Sequence, residues 1–308
     1  MVVNDSSAAS FTFLRFALAA LIAIPYASEL FVWKDDSLNS GSISGSSSSN
    51  NNKDNAIKTA WRWGAEMGCW MFLGFAFQAI GLETTTAQRS GFLLYLNVKF
   101  VPLFSWLLLG RPVSLPTWIS AVAAFGGTAL LATDGQSIGF NQGDVWSIAA
   151  AAASAMYILR LEKAAANVKD AAQLNAACLC VVAILSALWT LLVEFRGDQS
   201  LGATVEQLLS IAQSHPLQLM YLGAVTTTLA NFIQSKGQQV VSPERASIIY
   251  SLDPVYGAFF SWFLLGENIG GIQSIIGAFL ITVAAATNAF LDFGKTQHEE
   301  TIQTKGWE

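Results

Sequence analysis

Lys99 stands almost at the centre of an apolar run from Gly91 to Leu109. As a helix this run measures about 29 Å at about 1.5 Å per residue, close to the hydrocarbon thickness of a bilayer. A lysine at that depth costs about 2.5–3.5 kcal/mol on insertion scales, and its stem does not reach the interface comfortably, so it is expected to face a bundle interior or a water-filled cavity. The chemistry it offers is anion binding or proton coupling. The structural alternative is a buried ion pair with Asp253 or Glu66. Asp253 lies early in a second apolar run, followed by Pro254, which removes a backbone donor and disturbs the carbonyl of Tyr250 one turn back. Pro102 is expected to kink the first run in the same way, freeing the carbonyl of Val98 beside Lys99. Broken or kinked helices carrying polar groups near the midplane are where transporters place binding sites. Asn97, Gln78, Gln234, Asn231, Tyr250, Tyr95 and Trp70 complete the candidate substrate-binding set. Interhelical hydrogen bonding accounts equally well for the amides, and interfacial packing for the aromatic residues. Glu66, near the end of its run, is expected to reach the interface.

These residues need helices long enough to cross a membrane. Of the 308 residues, 53% are apolar and only 12% are charged, which excludes a single soluble domain and describes a polytopic membrane protein. Nine apolar runs are expected to span: 11–32, 63–81, 91–109, 115–133, 145–161, 172–193, 217–235, 246–265 and 271–291. The expected fold class is therefore all-α. Gly64 and Gly68, four residues apart, and the run Ala149 to Ala153 suit close helix packing in lipid. Cys69, Cys178 and Cys180 fall in apolar runs and read as small packing residues.

Residues 89–112 and 245–268 are two copies of one helix and turn, related by a gap-free shift of 156 positions. The first contains Phe104-Ser105-Trp106-Leu107-Leu108-Leu109-Gly110, the second Phe260-Ser261-Trp262-Phe263-Leu264-Leu265-Gly266, with Arg89 matching Arg245. The same shift pairs Gln78 with Gln234, Gly81 with Gly237 and Asn97 with Asp253. Five crossings separate the copies, an odd number, so they point in opposite directions and form an inverted repeat with a pseudo-two-fold axis in the membrane plane. Run backward, the shift places the counterpart of the span at 145–161 before Met1, so the first helix of the first repeat is expected to be missing. Twelve basic residues lie in loops on the C-terminal side against two opposite, which puts the C-terminus on the cytosolic side or its organellar equivalent. The expected organisation is a short non-cytosolic segment at 1–10, a truncated first repeat at 11–135 containing a flexible Ser/Asn-rich loop at 37–55, a second repeat at 143–291 and a polar cytosolic tail at 292–308.

At the repeated motif the sequence resembles a known family. Ser242-Pro243-Glu244-Arg245-Ala246-Ser247, Leu252-Asp253-Pro254-Val255 and Trp262-Phe263-Leu264-Leu265-Gly266-Glu267 are similar to the second EamA-type domain of the drug/metabolite transporter superfamily. Thr86-Ala87-Gln88-Arg89-Ser90 and Trp106-Leu107-Leu108-Leu109-Gly110-Arg111 resemble the first, and Arg15-Phe16 resembles the opening of its second helix. The resemblance covers residues 11 to 291. It implies two five-helix halves around a central cavity and carriage of small metabolites, often by export; the motif block is similar to plastid and cyanobacterial members, so a plastid or plasma membrane is the expected setting. The first copy departs from the pattern, with Leu96-Asn97-Val98-Lys99 where the second has Leu252-Asp253-Pro254-Val255.

The expected function is secondary transport of a small metabolite by alternating access, with proton coupling through Asp253 or Glu66 as an option. One alternative is exchange of sugar phosphates or nucleotide sugars, with Lys99 on the phosphate, a reading weakened by the want of a second midplane base. Another is a non-transporting membrane scaffold, if the first helix is indeed absent. An enzyme is not expected: the spans contain no histidine, no His-Glu-x-x-His and no Gly-x-Ser-x-Gly, and there is no phosphate-binding loop for ATP-driven pumping. No cofactor, catalytic residue or metal site is expected, since His215 and His298 have no ligand partners in sequence. The expected partners are the lipid bilayer and a small-molecule substrate, not nucleic acid.

Overall fold

The computed structural model describes residues 8–30, 47–85, 87–132, 141–196 and 201–250, and beyond these 252–253, 255–256, 259–260, 263, 275–277, 279–284 and 286–287. The elements among them are helical. In chain order they are α1 (Ala8–Ala23), continued by a 3-10 stretch (Ile24–Leu30), α2 (Ser47–Leu82), α3 (Ala87–Leu94), α4 (Asn97–Leu109), α5 (Leu115–Ala132), α6 (Gln142–Asn167), α7 (Ala171–Arg196), α8 (Leu201–Ser214), α9 (Pro216–Met220), a π-helical segment (Tyr221–Leu229), α10 (Ala230–Gly237) and α11 (Pro243–Tyr250). Four stretches are long and apolar enough to cross a bilayer: Ala8–Ala27, Asp54–Leu82, Gln142–Asn167 and Ala171–Val193. Asn97–Leu109, Leu115–Gly127 and Ile275–Ala284 are shorter apolar helices. The chain is thus an all-helical, multi-pass integral membrane protein.

Several elements differ from the sequence expectation. The run 91–109 is two helices, α3 and α4, separated by a turn at Tyr95 and Leu96. α2 starts at Ser47, inside the segment read as a flexible loop; extending a nucleated helix adds one hydrogen bond per residue fixed, which carries it into polar sequence. Residues 31–46 of that region lie outside the described residues, as does the tail. α8 occupies a stretch treated as a loop. Its Thr204 and Ile211 are buried while Val205 and Leu209 are exposed, a helical periodicity hidden by Glu206 and Gln207 in the same turns.

Contacts divide the chain into two compact units, one from residues 1–79 and 160–240, the other from 80–159 and 241–308. These do not follow the two sequence repeats. Adding 156 to the first unit's opening segment gives 157–235, nearly its closing segment. Each unit therefore takes equivalent helices from both copies: α1 and α2 with α7 and α9–α10 in the first, α3–α5 with α11 and 275–284 in the second, to which α6 adds its first part.

In the first unit small residues set the helix spacing. A Cβ on Gly68 of α2 would lie 2.7 Å from the Val181 side chain and 2.9 Å from the Cys178 carbonyl of α7, and one on Gly64 would meet the Ala177 methyl. Gly223 of the π segment packs likewise on Leu18 of α1. Cys178 and Cys180 are buried in this packing, and Cys69 is exposed. In the second unit α6 opens with reciprocal caps. The Asp144 amide donates to Asn141 Oδ1 (3.0 Å), the Asn141 amide donates to Asp144 Oδ2 (2.8 Å), and Thr85 Oγ1 donates to Asp144 Oδ1 (3.2 Å), tying the α2–α3 turn to this helix start. α4 ends at Gly110, left-handed with φ 62°, where its N–H meets the Trp106 carbonyl at 3.2 Å. In the first copy the glycine of the repeated motif is thus a helix stop.

Gly64→Val should overpack the α2–α7 contact and cost about 1–3 kcal/mol, read as a lower Tm of the detergent-purified protein. Gly91→Ala in α3, where an added Cβ meets nothing within 4 Å, should leave the Tm unchanged or raise it.

Candidate functional site

The second unit holds Tyr95, Asn97, Lys99, Tyr250 and Asp253; the first holds Trp70, Gln78, Asn231 and Gln234. The symmetry-related pairs, Asn97 with Asp253 and Gln78 with Gln234, each stay within one unit.

In the second unit the two copies break at the same place. α3 and α11 have bounds offset by 156. In the first copy the Leu96 amide turns back to the Leu93 carbonyl (3.1 Å), and the amides of Lys99 and Phe100 both donate to the Leu96 carbonyl at 2.9 Å. In the second, Leu252 donates to Ile249 (3.0 Å), and Val255 and Tyr256 both donate to Leu252 at 2.9 and 3.0 Å. α4 runs through the buried Pro102, and the break between helices lies ahead of it, at Tyr95–Leu96. Pro254 lies outside the described residues. Asp253 is the first helical residue after the second break.

The break positions the polar residues. Val98, Ile248, Ala121, Ala124 and Ala284 form one buried cluster, with Leu252 and Ala123 packed against it, so both broken strands of helix are anchored to the same apolar floor. Asn97 Nδ2 donates to Ser154 Oγ of α6 at 3.4 Å, while Asn97 Oδ1 is buried with no hydrogen-bond partner among the described residues. A buried amide oxygen left open is uncommon and marks a place for a donor. Lys99 Nζ lies 4.0 Å from the centroid of the Phe125 ring on α5, a cation–π contact. Within the second unit, Lys99 forms no ion pair with Asp253 among the described residues, and Glu66 belongs to the first unit. Asp253 is exposed and within electrostatic range of the Tyr95 hydroxyl. Tyr250 closes α11.

In the first unit Glu66 is paired at a partly accessible position. Both its oxygens accept from Arg160: Nε to Oε1, and Nη2 to Oε2 at 3.0 Å, with the Arg160 guanidinium 5.4 Å from the Trp63 ring. A bidentate pair of this geometry holds α2 to the end of α6. Asn231 Nδ2 approaches the Met71 sulfur at 3.8 Å, and Gln78, Gln234 and Trp70 are half-buried. Sequence reasoning missed three features. Arg15 Nε donates to Thr227 Oγ1 at 2.8 Å. Ser154 stands opposite Asn97. A cavity of about 460 Å³, lined among others by Tyr26, Asp170, Asn175, Thr228 and Phe232, has the volume of a small-molecule site and contains none of the candidate residues. Only Arg15, an intraspan charge, carried a signal in sequence.

Paired breaks in duplicated transmembrane helices, with open polar groups at the breaks, define an integral membrane protein built on the repeat plan of membrane carriers. The EamA-like transporter family matches residues 1–133 and again 141–290, and the chain belongs to this family. A protein of Archaeoglobus fulgidus described as an uncharacterized transporter is 27% identical over 221 residues, covering 72% of this chain and 66% of its own length, slightly under two thirds. The permease-like protein YdzE of Bacillus subtilis is 39% identical over 62 residues, 20% of this chain and 78% of that protein. A solved crystal structure shares the fold with a TM-score of 0.64 at 18% identity, over 94% of this chain and 90% of its own.

Glu66→Gln should lower stability by about 1–3 kcal/mol, between the values for exposed and buried pairs because both side chains are partly accessible. The exchange Glu66→Arg with Arg160→Glu should recover part of that loss in the same thermal unfolding measurement.

Proposed function

We propose that the chain is a secondary carrier that moves a small polar or amphipathic metabolite by alternating access. The observation that carries this reading is the paired break, Leu93–Leu96 and Ile249–Leu252, with matching hydrogen bonds in both copies. Discontinuous helices expose backbone and polar side chains at membrane depth only where these line a cavity, and in repeat-built carriers that is where substrate binds. Asn97, Lys99, Tyr95, Tyr250 and Asp253 are the proposed binding groups in the second unit; Gln78, Gln234, Asn231 and Trp70 are those in the first.

Within the set the roles divide by chemistry. The open Asn97 Oδ1 takes a donor, and Lys99, held over Phe125 without an acid partner among the described residues, takes a negative group. Asp253 is the proposed proton-coupling group. Glu66 is unsuited to that task because Arg160 occupies both its oxygens. Export and a plastid or plasma membrane are carried over from the resemblance of the motif block alone.

Proteoliposomes loaded with a metabolite panel should show saturable exchange, and Lys99→Met should lower its rate by roughly ten-fold or more, the loss of one intramembrane charge contact. Asp253→Asn should remove stimulation by a proton gradient while leaving exchange at equal pH. Absence of exchange with every member of a broad panel would overturn the carrier reading, and undiminished exchange by Lys99→Met would take Lys99 out of the site.

A further inference from the structure

Arg15 is an arginine inside the first apolar span, and no acid among the described residues of the first unit pairs with it. Within Ala8–Ala27 it has seven residues before it and twelve after. Its Nε donates to Thr227 Oγ1 at 2.8 Å, and its guanidinium carbon lies 4.9 Å from the Phe75 ring centroid and 5.5 Å from that of Phe16. Phe16 and Phe75 themselves meet edge to face at 4.9 Å, so the aromatic wall is fixed before any ligand arrives. No carboxylate among the described residues pairs with Arg15. Its terminal nitrogens make no hydrogen bond among those residues, and they are not among the buried atoms left unsatisfied. They are open and undersupplied with acceptors.

The contact with Thr227 is built, not incidental. Thr227 lies in the π segment, and its hydroxyl donates to the Leu222 carbonyl five residues back at 2.7 Å. With its proton spent there, the oxygen presents lone pairs and acts as an acceptor for Nε. In a π turn the i−5 carbonyl is the natural acceptor, and π segments recur at functional sites. The equivalent stretch of the first copy, residues 65–73 in α2, is regular α-helix. The irregularity is thus confined to the turn that holds Arg15. Fixing Nε fixes the plane of the guanidinium, and two parallel N–H groups at its far edge remain directed away from Thr227.

The geometry points to Arg15 as an oxyanion-binding residue that takes the carboxylate or phosphate of an organic anion, with the partly exposed Phe75 beside its apolar body, the buried Phe16 behind that ring, and Thr227 as the positioning residue. This names the substrate class for the carriage proposed above and rests on that reading. No covalent step is involved.

The test uses the full-length protein purified in detergent, with thermal stabilisation by ligand as the binding readout. The probes are 3-phenylpropionate, phenyl phosphate and the neutral 3-phenylpropanamide. At least one anion should bind roughly ten-fold or more tightly than the amide, and which one does so separates carboxylate from phosphate. Arg15→Lys should lose roughly ten-fold in anion affinity, because a point charge replaces the fork, and Thr227→Val should lose several-fold. Neither change should alter the response to the amide. Arg15→Met should bind no anion; if it does not fold, Arg15→Lys and Thr227→Val decide. Failure of both anions to bind, equal binding of the amide, or wild-type anion affinity in the arginine variants would overturn the proposal. Proteoliposome exchange of the better anion keeps the two readings apart. Anion binding that depends on Arg15 without any exchange would sink the carrier and keep the site, whereas exchange indifferent to Arg15→Lys would sink the site and keep the carrier.

Discussion

Every backbone amide in the apolar interior of a membrane must find an acceptor within the protein, and a helix meets this demand only while its i−4 ladder is unbroken. The chain interrupts the ladder twice, at Leu96 and at Leu252, and both times in the same way. The amide at the break folds back to the i−3 carbonyl, and the carbonyl there receives two donors from the helix that follows. Most groups at the break are thereby satisfied without water, so the interruption costs less than an open turn would. What the arrangement leaves over is directional: a new helix start at membrane depth, with Asn97 or Asp253 as its first residue. The position of every polar candidate in the second unit follows from that interruption.

The exchange of helices between the copies is the second consequence of duplication. Neither repeat forms a compact body from its own residues. Gly64 and Gly68 of α2 find their close contact on α7, more than a hundred residues away, and Gly223 finds its contact on α1. Helix association in lipid depends on close packing and not on hydrophobic burial, so such small-residue contacts are what hold a unit together. A substitution at one of them acts on both copies at once. The same interleaving keeps Gln78 with Gln234 and Asn97 with Asp253, because equivalent positions travel together when equivalent helices pair.

The helices, the duplication and the small-residue contacts were legible from the sequence, because each leaves a periodic or positional mark: apolar runs, a fixed shift, Gly-x-x-x-Gly. The breaks were not. Leu93-Leu94-Tyr95-Leu96 contains no glycine or proline, and the local signal in this run is Pro102, which lies inside α4 beyond the break. In the second copy the local signal is Asp253-Pro254, an acid followed by proline, a pattern that suits a kink and a helix start alike. The π segment left no mark either, since Tyr221 to Leu229 has an ordinary apolar composition. The Glu66–Arg160 pair joins residues ninety-four positions apart, beyond any local pattern. The ion pair depends on a tertiary partner, whereas each legible feature depends on spacing within the chain.

The copies differ where function would ask them to. A symmetric pair of breaks would present the same chemistry from both sides of the pseudo-two-fold axis and could not distinguish the ends of an asymmetric molecule. Here one break carries an amide and a lysine, and the other an acid. The first unit repeats the principle, with regular α-helix at 65–73 and a π segment at the equivalent turn, where Thr227 engages Arg15. Symmetry supplies the scaffold cheaply, because one helix plan serves twice, but recognition requires that it be broken by single residues. The bases Lys99 and Arg15 are the sites of that breaking. Each is held by aromatic rings without an acid partner among the described residues, so each is stabilised enough to persist in the span while its charge remains uncompensated. A carboxylate beside either would make a stronger pair and a poorer binding site.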